Sequence, residues 1–325
     1  MNKTLTIAIP TFNGGKYIAI VIDSVLNQIK NNPLLESKIE IVVSDNASQD
    51  NVGGVVKKYK KLYPSVIQYY RNETNVGFDR NVDLAVRRAT SEFVWILSDD
   101  DFVLDGAIEY VQNVIENHKD EKVALIYVNF AHTIQLKNEQ DGLCKDGNVF
   151  FQETRFKNGL ISCNIVSKSI WQTSCLERFF DSGWIHFGYD LEALNPLCGH
   201  KAYIINKEFV KIGSREMRWG ERGTFIYTGF RLVEIFKLMP QWGYSKKTKK
   251  MADFVIKSGY PMFIALAKAK GLKTDLKLLS QFYGLYKQYP SFWLIDLPLL
   301  LIPKKFYYII YTLTRSIKHL LKKTK

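Results

Sequence analysis

Cysteine is scarce in this 325-residue chain, with four scattered at Cys144, Cys163, Cys175 and Cys198. Neither the close pairs of a zinc site nor the density of a disulfide framework is present, so reduced, buried thiols are expected. No apolar run reaches the roughly 20 residues that a spanning helix needs. Asp296, Pro298, Pro303, Lys304 and Lys305 interrupt the strongly apolar stretches 292–302 and 306–313. The N-terminus lacks the charged and apolar regions of a signal peptide and runs directly into a strand pattern, which points to the cytoplasm. Acidic residues are nearly missing from the last quarter. Residues 241–325 hold 17 Lys and Arg against 3 Asp, leaving 28 basic against 29 acidic residues before them. The formal net charge of +13 therefore belongs to the tail, which implies a local anionic partner rather than a generally basic protein.

The remainder is rich in apolar residues, and a chain of this length can bury a full core. Short runs at Leu5–Pro10, Ile39–Ser44, Val66–Tyr70, Phe93–Leu97 and Val123–Phe130 are strand-like and alternate with polar or helical segments. Tyr17, Ile18, Val21, Ile22, Val25 and Leu26 recur at helical spacing behind Gly14 and Gly15. The expected class is α/β, with a mostly parallel sheet flanked by helices, because strands that are apolar throughout need cover on both faces. Ligands of such sheets bind beyond the carboxyl ends of the strands. The composition changes near Gln241, so a boundary is expected there between a domain of residues 1–240 and a basic, apolar helical extension, 241–325.

Polar residues chosen for chemistry follow each strand. Asp99, Asp100 and Asp101 stand together behind Phe93–Leu97. Adjacent carboxylates at a strand end repel one another unless a cation neutralises them, and Mg2+ or Mn2+ is commonly held by one or two carboxylates together with substrate phosphates. In an extended segment Asp99 and Asp101 would point the same way and share such an ion. The alternative is that these residues cap a helix starting near Leu104. Asn46 and Asp50 suit turns through their own backbone.

The loops resemble those of a family 2 glycosyltransferase with the GT-A, Rossmann-like nucleotide-binding fold. Ile9-Pro10-Thr11-Phe12-Asn13, Val43 to Asp50, Arg71-Asn72 with Asn75-Val76-Gly77 and Asn81, and Asp99-Asp100-Asp101 carry the resemblance over about residues 1–235. It implies a nucleotide-sugar donor lined by Pro10, Thr11, Asn13, Asp45, Asn75, Arg80, Asp99 and Asp100. It also implies Mn2+ or Mg2+ on Asp101 and Asp99. An inverting transfer needs a base for the acceptor hydroxyl. The resemblance places it at Asp190 in Gly188-Tyr189-Asp190-Leu191-Glu192, although the family's Glu-Asp pair is here Tyr189-Asp190. Glu192 is the alternative base, and His186 is either a contact to acceptor or diphosphate or a structural side chain. Arg218-Trp219 resembles the Arg-Trp of processive members but lacks the preceding Gln.

Asn75 to Asn81, Trp95 to Asp101 and Ile161 to Ile165 are similar to abequosyltransferase-like enzymes of bacterial O-antigen assembly. This implies addition of one sugar to a lipid-diphosphate-linked saccharide acceptor, from a UDP- or CDP-sugar. The competing function is a catalytically silent nucleotide-sugar-binding or scaffolding protein. Nucleic acid is not an expected partner, since no binding motif accompanies the basic tail. Trp293, Tyr307, Tyr308 and Tyr311 suit a membrane interface. Lys304, Lys305, Arg315, Lys318, Lys322, Lys323 and Lys325 can meet anionic headgroups. A peripheral position on the cytoplasmic face of the bacterial inner membrane is expected, with a helical bundle packed on the catalytic domain as the other reading.

Overall fold

The computed structural model describes residues 3–130, 140–213, 224–269, 271–303 and 306. Arg218, Trp219, Lys304, Lys305 and residues 307–325 lie outside the described residues. The chain divides into two compact units, Met1–Arg215 with Leu238–Lys249, and Glu216–Lys237 with Lys250–Lys325. The composition change near Gln241 thus falls within a segment that belongs to the first unit, and the second unit draws on sequence from both sides of it.

The first unit opens as strand and helix in turn: β1 (Leu5–Thr11), α1 (Ile18–Asn31), β2 (Ile39–Asp45), α2 (Val52–Leu62), β3 (Ile67–Arg71), α3 (Phe78–Arg88) and β4 (Phe93–Ile96). β5 (Phe102–Val103), α4 (Ala107–Asn117), β6 (Val123–Phe130), β7 (Gly142–Cys144), α5 (Gly147–Thr154), β8 (Asn164–Ser167), α6 (Lys168–Thr173), α7 (Ile185–Ala193) and β9 (Lys201–Lys211) follow. The sheet runs β3-β2-β1-β4-β8-β6-β9-β5, with β7 also on β9. It is mixed rather than mostly parallel. β3, β2, β1 and β4 are parallel, β8 is antiparallel to both β4 and β6, and β5 and β7 are antiparallel to β9. The apolar runs of β1, β2 and β6 are buried along nearly their whole length, as strands covered on both faces require.

Strand register sets up the site. Thr11 lies opposite Asp45, and Asp45 opposite Arg71, so the carboxyl ends of three parallel strands are level. Leu97 N–H donates to Ala8 C=O at 2.9 Å, the last bond between β1 and the chain leaving β4. Pro10, two residues on, faces the same neighbour and has no N–H to give, so pairing stops and the chain after Leu97 is released into a loop. In that loop Asp99 and Asp100 form a turn, Asp101 N–H donates to Ser98 C=O at 3.4 Å, and β5 follows. The helix expected near Leu104 begins at Ala107 behind a left-handed Gly106. The aspartates are therefore not its cap, nor do Asp99 and Asp101 share one face of an extended segment.

The described part of the second unit is helical: α8 (Thr224–Phe236), most of α9 (Lys246–Ala269), α10 (Leu276–Tyr286) and α11 (Leu297–Leu301). Leu278, Phe282 and Tyr286 form the buried stripe of α10 at four-residue spacing, and Phe282 meets Phe230 edge-on with ring centroids 4.8 Å apart. A wide π-helical turn over Phe292–Asp296 leaves Trp293, Leu294 and Ile295 exposed in succession. No helix among the described residues is long and apolar enough to cross a membrane. Of the four free thiols, Cys144 and Cys163 are buried as expected, whereas Cys175 and Cys198 are exposed.

Candidate active site

The ends of β1, β2 and β4 are tied together through side chains. Thr11 hydroxyl donates to Asp99 Oδ2 at 2.5 Å, and both residues are buried. Asn13 adopts the left-handed backbone that Asn tolerates better than most residues. Its N–H donates to Ser48 Oγ at 2.9 Å and its Oδ1 accepts from Gln49 N–H at 2.7 Å. Asp50 completes this lock by accepting from Gly15 N–H at 2.8 Å. Pro10 and Thr11 thus stand at the end of β1, and Asn13 braces the loop after β2.

Asp45 is fully buried at 0% exposure, and both its oxygens are engaged. Oδ1 accepts from Ser48 N–H at 2.8 Å, and Oδ2 accepts from Tyr69 hydroxyl at 2.6 Å and Arg71 Nη1 at 2.7 Å. Burial alone would raise its pKa, but these hydrogen bonds outweigh it and hold the carboxyl below its usual range. Arg71, whose side chain is 47% exposed, is the outward group here, so a ligand meets its guanidinium before it meets Asp45. Asn75 Oδ1 accepts from Asn46 Nδ2 at 2.8 Å and Gly77 N–H at 2.9 Å. Asn46 in turn accepts from Val76 N–H and Asn72, a turn-building role. Arg80 is paired with Asp181 at 2.6 Å and lies over the Phe180 ring at 4.7 Å, tying α3 to the segment before α7. The structure therefore gathers Thr11, Asn13, Asp45, Asn75 and Asp99 through one hydrogen-bonded set of loops, whereas Arg80 is committed to Asp181.

Each member of the Asp triplet has its own donor. Besides Thr11 on Asp99, Ser98 hydroxyl donates to Asp100 Oδ1 at 2.5 Å. Ser162 hydroxyl donates to Asp101 Oδ2 at 2.6 Å, and Gly213 N–H to Asp101 Oδ1 at 3.0 Å. Gly213 has to be glycine, because a Cβ there would fall 1.7 Å from Asp100 C=O. Burial raises the Asp101 pKa above the usual carboxylate range. The two donors counter this, and the charges of Asp100 and Asp99 reinforce it. A divalent cation would cancel that repulsion, and buried carboxylate oxygens are the hard donors Mg2+ and Mn2+ take. The donor chemistry of Asp99 and Asp101 fits such an ion. No three His, Cys, Asp or Glu side chains form a protein-only metal cage among the described residues.

Asp190 lies on α7 at 0% exposure, with Oδ2 accepting from Asn158 Nδ2 at 2.8 Å. His186, one turn earlier, is buried with Nε2 3.0 Å from Gly159 C=O, and burial lowers its pKa to about 4. Burial thus favours its neutral form, and its Nδ1 is buried without a hydrogen-bond partner. Glu192 Oε1 accepts from Cys175 N–H at 2.9 Å. Asp79 accepts from Gly183 N–H at 2.8 Å and Ile185 N–H at 3.1 Å, holding the start of α7. Sequence reasoning assigned no role to Ser48, Tyr69, Arg71, Asn158, Ser162 or Gly213. Arg71, Ser48 and Ser162 stood in recognised motifs and offered that signal; Tyr69, Asn158 and Gly213 stood in none.

Residues 6–178 match glycosyl transferase family 2. The chain belongs to this family. Among curated relatives, this family 2 member is 32% identical over 116 residues to the abequosyltransferase RfbV of Salmonella typhimurium, covering 36% of this chain and 34% of that one. It is 34% identical over 121 residues to the poly(ribitol-phosphate) β-N-acetylglucosaminyltransferase TarP of Staphylococcus aureus, covering 36% and 35%. The chain thus spans about a third of the length of these relatives. The crystal structure of S. aureus TarS 1-349 in complex with UDP-GlcNAc superposes with a TM-score of 0.58 at 15% identity, covering 89% of this chain and 75% of that one. The mannosyltransferase PcManGT of Pyrobaculum calidifontis, in complex with GDP-Man and Mn2+, superposes with a TM-score of 0.56 at 18% identity, covering 92% and 86%. These likenesses establish the GT-A fold.

Proposed function

We propose that this family 2 member moves one sugar from a nucleotide-diphosphate sugar to a lipid-diphosphate-linked saccharide in bacterial surface polysaccharide synthesis, with inversion. The observation that carries the reading is the convergence of Thr11, Asp45 with Arg71, and the Asp99–Asp101 loop on one sheet edge. A pyrimidine nucleotide is favoured, in keeping with the UDP-GlcNAc and UDP seen in TarS crystals. The relatives named as abequosyltransferase and poly(ribitol-phosphate) N-acetylglucosaminyltransferase support a surface-polymer acceptor.

Asp99 and Asp101 would hold Mn2+ or Mg2+, which supplies charge stabilisation to the departing diphosphate. Thr11 and Ser162 orient these two carboxylates, and Arg71 offers a cation at the level of the strand ends. The second unit is proposed to rest on the anionic cytoplasmic face of the membrane. Exposed Trp293, Leu294, Ile295 and Leu301 support this, as does the basic character of residues 241–325, most of which belong to this unit and which hold 17 Lys and Arg against 3 Asp.

The test is turnover on a panel of UDP-, CDP- and GDP-sugars with Mn2+ or Mg2+, comparing wild type with Asp101→Ala. A loss on the order of 100-fold is expected. Unchanged turnover would remove the metal role, and nucleotide-sugar binding without turnover by wild type would favour the scaffolding function instead.

A further inference from the structure

Ser44 at the end of β2, with Asn46, Asn72 and Asn81 in the neighbouring loops and on α3, forms a buried cluster of side chains that each donate and accept. Such a cluster could be wired in either direction. From the last position of α3, Arg88 Nη1 donates to Ser44 Oγ at 2.7 Å and Nη2 to Asn72 Oδ1 at 2.8 Å, and a guanidinium cannot accept. The direction is thereby fixed at this end. With its oxygen taken, Asn72 gives Nδ2 to Asn46 Oδ1 at 3.1 Å and Asn81 Oδ1 at 3.0 Å. Asn46 Oδ1 also accepts from Val76 N–H, so its Nδ2 turns to Asn75 Oδ1 at 2.8 Å and Gly77 C=O at 3.1 Å. Asn75 Oδ1 accepts a second time, from Gly77 N–H, so what this exposed residue has left to offer is its amino group. Every link runs outward from Arg88, and the backbone groups at the far end impose the same direction.

We propose that Arg88 is a positioning residue for the nucleotide, holding Asn75 through Asn72 and Asn46 with Nδ2 outward as a donor to an oxygen of the ligand. Stability alone is a poor reason for this arginine. Its partners are a hydroxyl, an amide oxygen and the Tyr70 ring, 5.1 Å from the guanidinium carbon. Burial lowers its pKa, and no carboxylate among these partners offsets the cost of desolvating the charge. What a planar fork does supply is simultaneous reach to Ser44 and Asn72. The outward amide also selects a class of contact: a nucleobase carbonyl or a ribose or phosphate oxygen fits it, and an amino group does not. This deepens the proposed nucleotide-sugar reading of the site and rests on it.

The test is a double-mutant cycle on nucleotide affinity. Calorimetric Kd values are measured on the full chain for UDP, CDP and GDP with Mn2+, and the tightest of these is the probe for Arg88→Met, Asn75→Ala and the double variant. Each single variant should bind about tenfold more weakly, the worth of one hydrogen bond. The double variant should fall below Asn75→Ala by no more than about twofold, because Arg88 then has nothing left to position. Additive losses overturn the proposal, since an arginine acting through its charge or through general stability does not need Asn75. An unchanged Kd for either single variant overturns it as well, and Asn75→Ala, at an exposed residue, tests the outward contact without opening the core. Should Arg88→Met fail to fold, Arg88→Lys takes its place in the cycle, keeping the charge without the fork. Failure of wild type to bind any of the three nucleotides would instead sink the nucleotide-sugar reading itself, and this inference with it.

Discussion

Gly14→Ala should separate catalytic geometry from stability. A Cβ on Gly14 would lie 2.1 Å from Asp99 Oδ2 and 2.5 Å from Thr11 Oγ1, whereas real Cβ atoms essentially never approach closer than 3.0 Å. The Asp99 carboxylate must therefore retreat by about 1 Å, a displacement that for catalytic groups costs on the order of 100-fold. The backbone at Gly14 is not in the left-handed region, so alanine brings no φ penalty. The stability cost is the weakened Thr11–Asp99 hydrogen bond, about 1.5–3 kcal/mol for a charged acceptor. Reduced freedom of the unfolded chain offsets about 0.4–1 kcal/mol of that. A Tm lowered by only a few degrees is expected, on the order of 2–4 °C per kcal/mol for a large domain. The assay is nucleotide release from the best donor of the panel, run beside a melting curve. Gly284→Ala on α10, where nothing lies within 4 Å of the added methyl, is the control and should leave turnover unchanged. Gly14→Ala turnover within about threefold of wild type would refute the reasoning, since the displaced carboxylate would then be irrelevant to the chemistry.

Two further outcomes are expected. Asp79→Ala leaves the Gly183 and Ile185 N–H groups without their buried acceptor and should cost about 3 kcal/mol in urea unfolding; a change under about 1 kcal/mol would show that water replaces the carboxylate. In liposome flotation of the full chain, anionic vesicles should retain wild type, and a Trp293→Ser, Leu294→Ser, Ile295→Ser variant should bind at least about tenfold more weakly. Equal retention on neutral vesicles, or an unaffected variant, would remove the membrane role from this turn.

Where structure follows from local pattern, the sequence was informative. Val123–Phe130 is β6 to the residue, and the runs from Leu5, Ile39 and Phe93 are β1, β2 and β4 within one residue at each end. The strands it did not show are the two-residue β5 and the short, polar-edged β7 and β8, together with β9, whose Lys and Glu residues interrupt the apolar pattern. Strand direction was also beyond it. β8 is antiparallel because of where the chain returns from, which no window of residues encodes. At the site, the strand-end loops were legible because Asn, Asp and Pro at those positions have local turn chemistry. The partners of the aspartates were not. Ser162 is 61 residues from Asp101 and Gly213 is 112, and only the completed sheet brings them to it.

The three hydroxyls on the aspartate loop have a consequence for engineering. Thr11, Ser98 and Ser162 come from a strand, the loop itself and a 3-10 turn, and each serves a different carboxylate. Substituting any one leaves formal charge intact while unfastening a single oxygen. The loop therefore offers three separately adjustable dials, by which the proposed metal and donor binding can be tested without touching an acidic residue.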